Sequence, residues 1–148
     1  MSKKKLMVLL CLTLLFSFTP DRVKSTGKIV VLVTGLKSNT GKVMLAVFTN
    51  ADDFPTKFEN AYRKVVGTIL NNSSTVVMEN VPYGTYGIVI FHDENNNDKL
   101  DTNFIGIPKE GMGASRDAKG SMGPPKYEDA KFVVSTPLTN LKIQTSYF

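Results

Sequence analysis

From residue 29 onward the apolar residues of this chain recur at every second position, and that period constrains the fold more than any other feature. Ile29, Val31 and Val33 alternate with Val30, Leu32 and Thr34, so the first run is apolar on both faces. A period of two puts successive side chains on opposite faces of a strand, whereas a helix needs a period of 3.6. Gly35 and the polar tract 37–41 read as a turn. Residues 42–49 then read as the hairpin partner, with Val43, Leu45 and Val47 on one face and Met44, Ala46 and Phe48 on the other.

A short irregular or helical piece is expected over 52–60, begun by Asp52 or Asp53 ahead of Pro55. Strand-like runs continue at 61–70, 75–80, 86–92, 130–135 and 138–145. In the last, Leu141, Ile143 and Thr145 alternate with Lys142 and Gln144, as in a half-exposed strand. Seven short strands separated by turn residues predict an all-β, seven-stranded sandwich rather than an α/β fold. The segment 105–129 breaks the rhythm. It holds Gly106, Gly111, Gly113, Gly120, Gly123, Pro108, Pro124 and Pro125. It is far longer than the usual connection of roughly 4 to 6 residues. Met112, Met122 and Tyr127 within it predict an ordered, packed loop.

The basic balance of the chain, a formal +5, does not belong to the domain. Lys3, Lys4, Lys5, Arg22 and Lys24 lie in the first 25 residues with Asp21 as their only acid, and the remainder carries +1. Nothing in that balance asks for nucleic acid. Residues 1–25 instead have the layout of a secretory signal peptide: a basic start, then an apolar run from Leu6 to Phe18. The run is shorter than the roughly 18 to 20 residues needed to span a bilayer. Val23 and Ser25 suit a cleavage site, which places the mature start at Thr26 and a single domain at 26–148. The expected location is periplasmic or secreted, with no transmembrane span in the mature chain. Cys11 falls in the leader, so the domain has no cysteine for a thiol nucleophile, a zinc–thiolate site or a disulfide.

Residues 93–101 carry the most specific chemistry. Asp93, Asn95, Asn97 and Asp101 match positions 1, 3, 5 and 9 of a calcium loop, and the Lys99 carbonyl matches position 7. Calcium takes six to eight oxygen ligands and suits this set. Asp93, Glu94, Asp98 and Asp101 against Lys99 leave −3 over the nine residues, which also favours a cation. Asp98 replaces the sharp-turn glycine, a substitution eased by the access of Asp to the left-handed region. Phe104 replaces the bidentate acid of position 12, so Asp117, Glu128, Asp129 or water is expected to close the site. The alternative is a solvated turn, since Asn and Asp favour turns without any metal.

His92 is the only histidine. Catalysis would need a nucleophile and an orienting group, and Asp93, next in a strand, points to the opposite face. A hydrogen-bonded strand-end histidine is the expectation. Arg116, Lys126 and Tyr127 form a candidate ligand-binding loop for an anion or a sugar. Gly35 to Lys42 and Gly111 to Arg116 depart from phosphate-binding glycine patterns in spacing and residue type.

The stretch Val81-Pro82-Tyr83-Gly84-Thr85-Tyr86 resembles the turn-and-strand signature of prealbumin-like and collagen-adhesin sandwich domains. Three stretches together resemble a bacterial exported family catalogued as domain of unknown function 2141: residues 83–93 with the loop that follows, 103–111 (Asn-Phe-Ile-Gly-Ile-Pro-Lys-Glu-Gly) and 123–130 (Gly-Pro-Pro-Lys-Tyr-Glu-Asp-Ala). The resemblance implies an Ig-like or prealbumin-like sandwich and carries no assigned reaction. Prealbumin-related hydrolases depend on several histidines and a Tyr-Arg-Gly-Ser ending that this chain lacks. The expectation is a binding or structural module rather than an enzyme, calcium-stabilised through the 93–101 loop. Its alternatives are an envelope adhesion domain for glycan or protein and a hydrolase using His92.

Overall fold

The computed structural model describes residues 25–148. The expected leader lies outside the described residues except for Ser25. Among the described residues eight strands form two sheets, with one α-helical turn and two short 3₁₀ turns, Phe58–Asn60 and Ser115–Asp117. One sheet places β1 (Thr26–Thr34) between β4 (Ser74–Pro82), antiparallel, and β8 (Leu138–Gln144), parallel. The other runs β3 (Arg63–Gly67), β2 (Lys42–Phe48), β5 (Gly84–Asp93), β6 (Met112–Ala114). The short β7 (Phe132–Val134) pairs with the first residues of β5, and β6 with its later ones. The helical turn α1 spans Tyr127–Ala130. Among the described residues no helix is long and apolar enough to cross a membrane.

The inward residues of both sheets meet in one core. Ile29, Val31 and Val33 from β1 pack with Val43, Leu45 and Val47 from β2, Ile88 and Ile90 from β5, and Ile143 from β8. These positions alternate as the period of two requires. A second cluster lies on the other face of the β2–β5 pair. There Phe48, Phe54 and Tyr127 stack edge to face, with ring centroids 5.5 and 5.6 Å apart. Tyr86 closes the signature stretch: its hydroxyl donates to the carbonyl of Pro82 at 2.7 Å, the arrangement of a tyrosine corner.

Three expectations are corrected. The first two strands are not a hairpin. β1 sits between β4 and β8, while β2 sits between β3 and β5 in the opposite sheet. Each is apolar on both faces, and each becomes an internal strand. The connection between them dips inward at Leu36, which is buried, and Asn72 ties it down from the β3–β4 turn by donating to the Leu36 carbonyl at 2.8 Å. Second, the described residues form eight strands rather than seven. The extra one, β6, lies in the segment expected to be loop, where Met112, Gly113 and Ala114 pair with Phe91, Ile90 and Val89. Gly113 permits this because a Cβ there would lie 2.7 Å from the Ile143 side chain and 2.9 Å from the Gln144 carbonyl. Third, Met122 does not pack; it is fully exposed, and Tyr127 and Ala130 anchor the segment instead.

Candidate functional site

Strand pairing delivers the acidic loop to one end of the molecule. Lys42, at the start of β2, is opposite Asp93, at the end of β5. Asp93 is fully buried, and its carboxylate organises the turn that follows. Oδ1 accepts the N–H of Asn97 at 3.0 Å, Oδ2 accepts that of Asp98 at 2.9 Å, and Lys42 Nζ lies 3.4 Å from Oδ2. Asn96 and Asp98 take the left-handed conformation, with φ of 59° and 63°, so Asp98 does occupy the backbone region that a glycine would favour. Asn95 Oδ1 accepts the N–H of Asn97, and Asn97 Oδ1 accepts that of Lys99. The amide nitrogens of both asparagines donate to the Asp101 carboxylate, Asn95 at 2.6 Å and Asn97 at 3.2 Å. Asp93, Asn95, Asn97 and Asp101 are thus brought together, with Lys99 on the same turn.

The loop is closed by a residue that sequence reasoning missed. Glu110 is buried, and its two carboxylate oxygens accept the N–H groups of Glu94 at 2.9 Å and Asp101 at 3.0 Å. Asp117, Glu128 and Asp129 are engaged elsewhere. Asp117 accepts the N–H of Gln144 at 2.8 Å, Glu128 pairs with Lys131, and Asp129 lines a recess with Lys119 and Lys126. The available signal was the stretch 103–111 itself, which ends on a charged residue followed by a glycine. A Cβ at Gly111 would stand 2.4 Å from the Tyr147 ring, so this glycine lets the chain pass close enough for Glu110 to reach inward.

The β1–β2 connection clamps the other side. Lys37 Nζ pairs with Glu94 at 2.8 Å and lies 4.9 Å from the centre of the Tyr147 ring. The hydrogen bond to Glu94 holds the Lys37 ammonium above its ordinary range, and that to Asp98 does the same for Lys42. Burial pushes the Tyr147 phenol up. His92 is fully buried, with Nε2 2.7 Å from the Thr40 carbonyl and Nδ1 2.7 Å from the Tyr147 hydroxyl. A carbonyl only accepts, so we assign the proton to Nε2, and Nδ1 accepts from Tyr147. Both ring nitrogens are held by protein atoms, the strand-end role expected from the sequence.

Chemically, the loop offers two carboxylates with amide and backbone oxygens, a hard-oxygen set. Among the described residues no three His, Cys, Asp or Glu side chains converge in a metal-binding group. The second candidate group divides. Lys126 and Tyr127 line a shallow cleft of about 430 Å³ with Ala51, Phe54, Pro55 and Pro125. Arg116 is not among its lining residues; it donates to the Lys131 carbonyl at 3.3 Å.

No curated protein and no solved structure matches the chain. The profile of one family matches residues 31–142, a span that includes all of the acidic loop, Glu110 and α1. On that match the chain belongs to DUF2141, described as an uncharacterized protein conserved in bacteria.

Proposed function

We propose that this protein is an exported binding module, periplasmic or secreted, whose acidic loop takes calcium and whose apolar cleft receives a ligand. The observation that carries the calcium reading is the buried Asp93 carboxylate at the head of a preformed oxygen-rich turn. Asp93 Oδ1 and each Asn carbonyl accept one backbone N–H and keep another lone pair, while Oδ2 accepts the N–H of Asp98 and faces Lys42 Nζ at 3.4 Å, so a cation would compete with that ammonium there. The Asp101 carboxylate accepts amide protons from Asn95 and Asn97, while its own backbone N–H donates to Glu110, so a cation would have to displace the two amides at that carboxylate. Lys42 and Lys37 offset part of the negative charge, which suits the weak extracellular class of site with Kd near 10⁻⁴ to 10⁻³ M, an order-of-magnitude expectation.

The test is a thermal melt of chelator-stripped protein with and without calcium. Stabilisation follows RT ln(1 + [Ca²⁺]/Kd), about 1.4 kcal/mol at tenfold excess. For a domain of this size that raises Tm by a few degrees. Magnesium should do less, because it demands octahedral geometry and gives up water reluctantly. Asp93→Asn and Asp101→Asn should abolish the calcium response. An identical Tm with and without millimolar calcium would sink the reading and leave a self-sufficient turn.

The adhesion alternative, a glycan or protein held at the cleft, is favoured by Lys126 beside the aromatic rings of Phe54 and Tyr127. The hydrolase alternative would require His92 to release Thr40 or Tyr147 before it could serve as a base.

A further inference from the structure

The last residue of the expected leader is already part of the fold. Ser25 precedes Thr26, the first residue of β1, and its carbonyl accepts the N–H of Tyr83 at 2.9 Å. Thr26 is paired with Pro82 and Gly27 with Val81 on β4. Lys28 donates to the Pro137 carbonyl at 2.9 Å and is paired with Leu138, so β8 holds the strand from its other edge two residues after Thr26. Gly27 is boxed in: a Cβ there would stand 2.4 Å from the Thr136 carbonyl and 3.3 Å from the Val134 side chain. Ile29 follows, fully buried in the core.

These residues flank the Ser25–Thr26 bond, the one that Val23 and Ser25 mark for cleavage. A protein that takes up an extended segment does so through main-chain hydrogen bonds. Beyond this bond the main chain is spent on β4 and β8. There is no slack either, because β1 begins at the bond itself. Ser25 and Thr26 are exposed residues, so what withholds the bond is backbone pairing rather than burial.

We propose that the leader is removed before β1 pairs, so that cleavage and folding compete for one stretch of backbone. The proposal rests on the export reading and adds an order of events to it. The step is hydrolysis by a signal peptidase. Water gives a hydroxyl to the Ser25 carbonyl carbon and a proton to the Thr26 nitrogen as the bond between them breaks. A chain cut while unfolded is released. One that folds first keeps its apolar leader and stays attached to the membrane. Removal also takes the Ser25 carbonyl away from the Tyr83 N–H.

The test mixes full-length precursor, folded in detergent, with a purified bacterial signal peptidase and follows cleavage by mass. An Ile88→Asp precursor, unfolded by a charge placed in the core and checked by circular dichroism, sets the rate for the unpaired chain. The folded precursor should be cut about one to two orders of magnitude more slowly, since opening the strand end breaks main-chain hydrogen bonds worth a factor of about 2 to 12 each. A precursor with six Gly/Ser residues inserted between Thr26 and Gly27, about 20 Å of extended chain, should fold and yet be cut at the Ile88→Asp rate. Hydrogen exchange at the Tyr83 amide should be faster in the mature chain than in the folded precursor. Cleavage of the folded precursor as fast as the Ile88→Asp chain overturns the proposal and leaves the export reading intact. Equal Tyr83 exchange in the two forms, or a folded inserted precursor that still resists, overturns it as well. If the peptidase does not cut even the Ile88→Asp chain between Ser25 and Thr26, the export reading itself fails and takes the proposal with it.

Discussion

The hydroxyl of Tyr147 lies 2.7 Å from Nδ1 of His92 and joins the segment after β8 to the end of β5. The same oxygen accepts the N–H of Lys37 at 3.0 Å, so one phenol bridges three separate parts of the chain around the acidic loop. Tyr147→Phe removes the bridge and leaves a buried imidazole nitrogen and a backbone N–H unpaired. The expected cost is about 1–3 kcal/mol, read from urea denaturation as a lower midpoint with an unchanged slope.

Glu110→Gln tests the closing carboxylate. Both oxygens of Glu110 accept backbone N–H groups, and an amide can offer only one acceptor; its NH₂ would face a donor. We expect a loss of about 1–3 kcal/mol and faster hydrogen exchange at the amides of Glu94 and Asp101, with the exchange of β1 amides changed only through global stability. Slow exchange at both loop amides in the variant would show that Glu110 is not what closes the loop.

Gly111→Ala should be costly for a steric reason. The added methyl would lie 2.4 Å from the Tyr147 ring and 2.6 Å from the Thr145 methyl. Overpacking of this kind costs typically 1–3 kcal/mol, an order-of-magnitude figure. Gly106→Ala is the spatial contrast, since nothing lies within 4 Å of a Cβ there; its cost comes only from a φ of 83°. Gly111→Ala should therefore perturb the Tyr147 ring resonances, and Gly106→Ala should not.

Alkaline pH should weaken the fold. Burial raises the phenols of Tyr86, Tyr127 and Tyr147. A group whose folded value is raised binds its proton more tightly when folded. Its contribution is intact below the unfolded value of about 10 and is lost as pH rises through the folded one. Tm should fall above about pH 10, and ultraviolet titration should show phenolate appearing together with unfolding. Asp53 acts at the other extreme. Hydrogen bonds from Asn60 and Asn50 hold its carboxyl below the ordinary range, so its contribution is present above the unfolded value and is lost as pH falls through the folded one.

The leader is tested by mass. Protein recovered from its native envelope should begin near Thr26, and an intact mass that still includes Leu6 to Phe18 would contradict export by cleavage.

The sequence alone determined the class of this fold and the local geometry of the acidic loop. Both depend on short-range rules. A period of two assigns each side chain to a face whatever the neighbouring strand, and Asn and Asp make left-handed turns from bonds within a few residues, as Asn96 and Asp98 do. Neighbour choice is different in kind. Val30 could meet any apolar partner, and whether β1 lay beside β2 or between β4 and β8 depended on which arrangement buried Ile29, Val31 and Val33 together with both faces of β2, even though Leu32 on the outer face of β1 stays exposed. Glu110, Tyr147 and Lys37 reach the acidic loop for the same reason. They are 16 residues from Glu94, 55 from His92 and 110 from Tyr147 along the chain, and no local pattern encodes pairings across such distances. The sheets had to form before a buried carboxylate and a phenol could find the backbone groups they satisfy. Tertiary structure therefore decided what closes the loop and which end of the sandwich carries it.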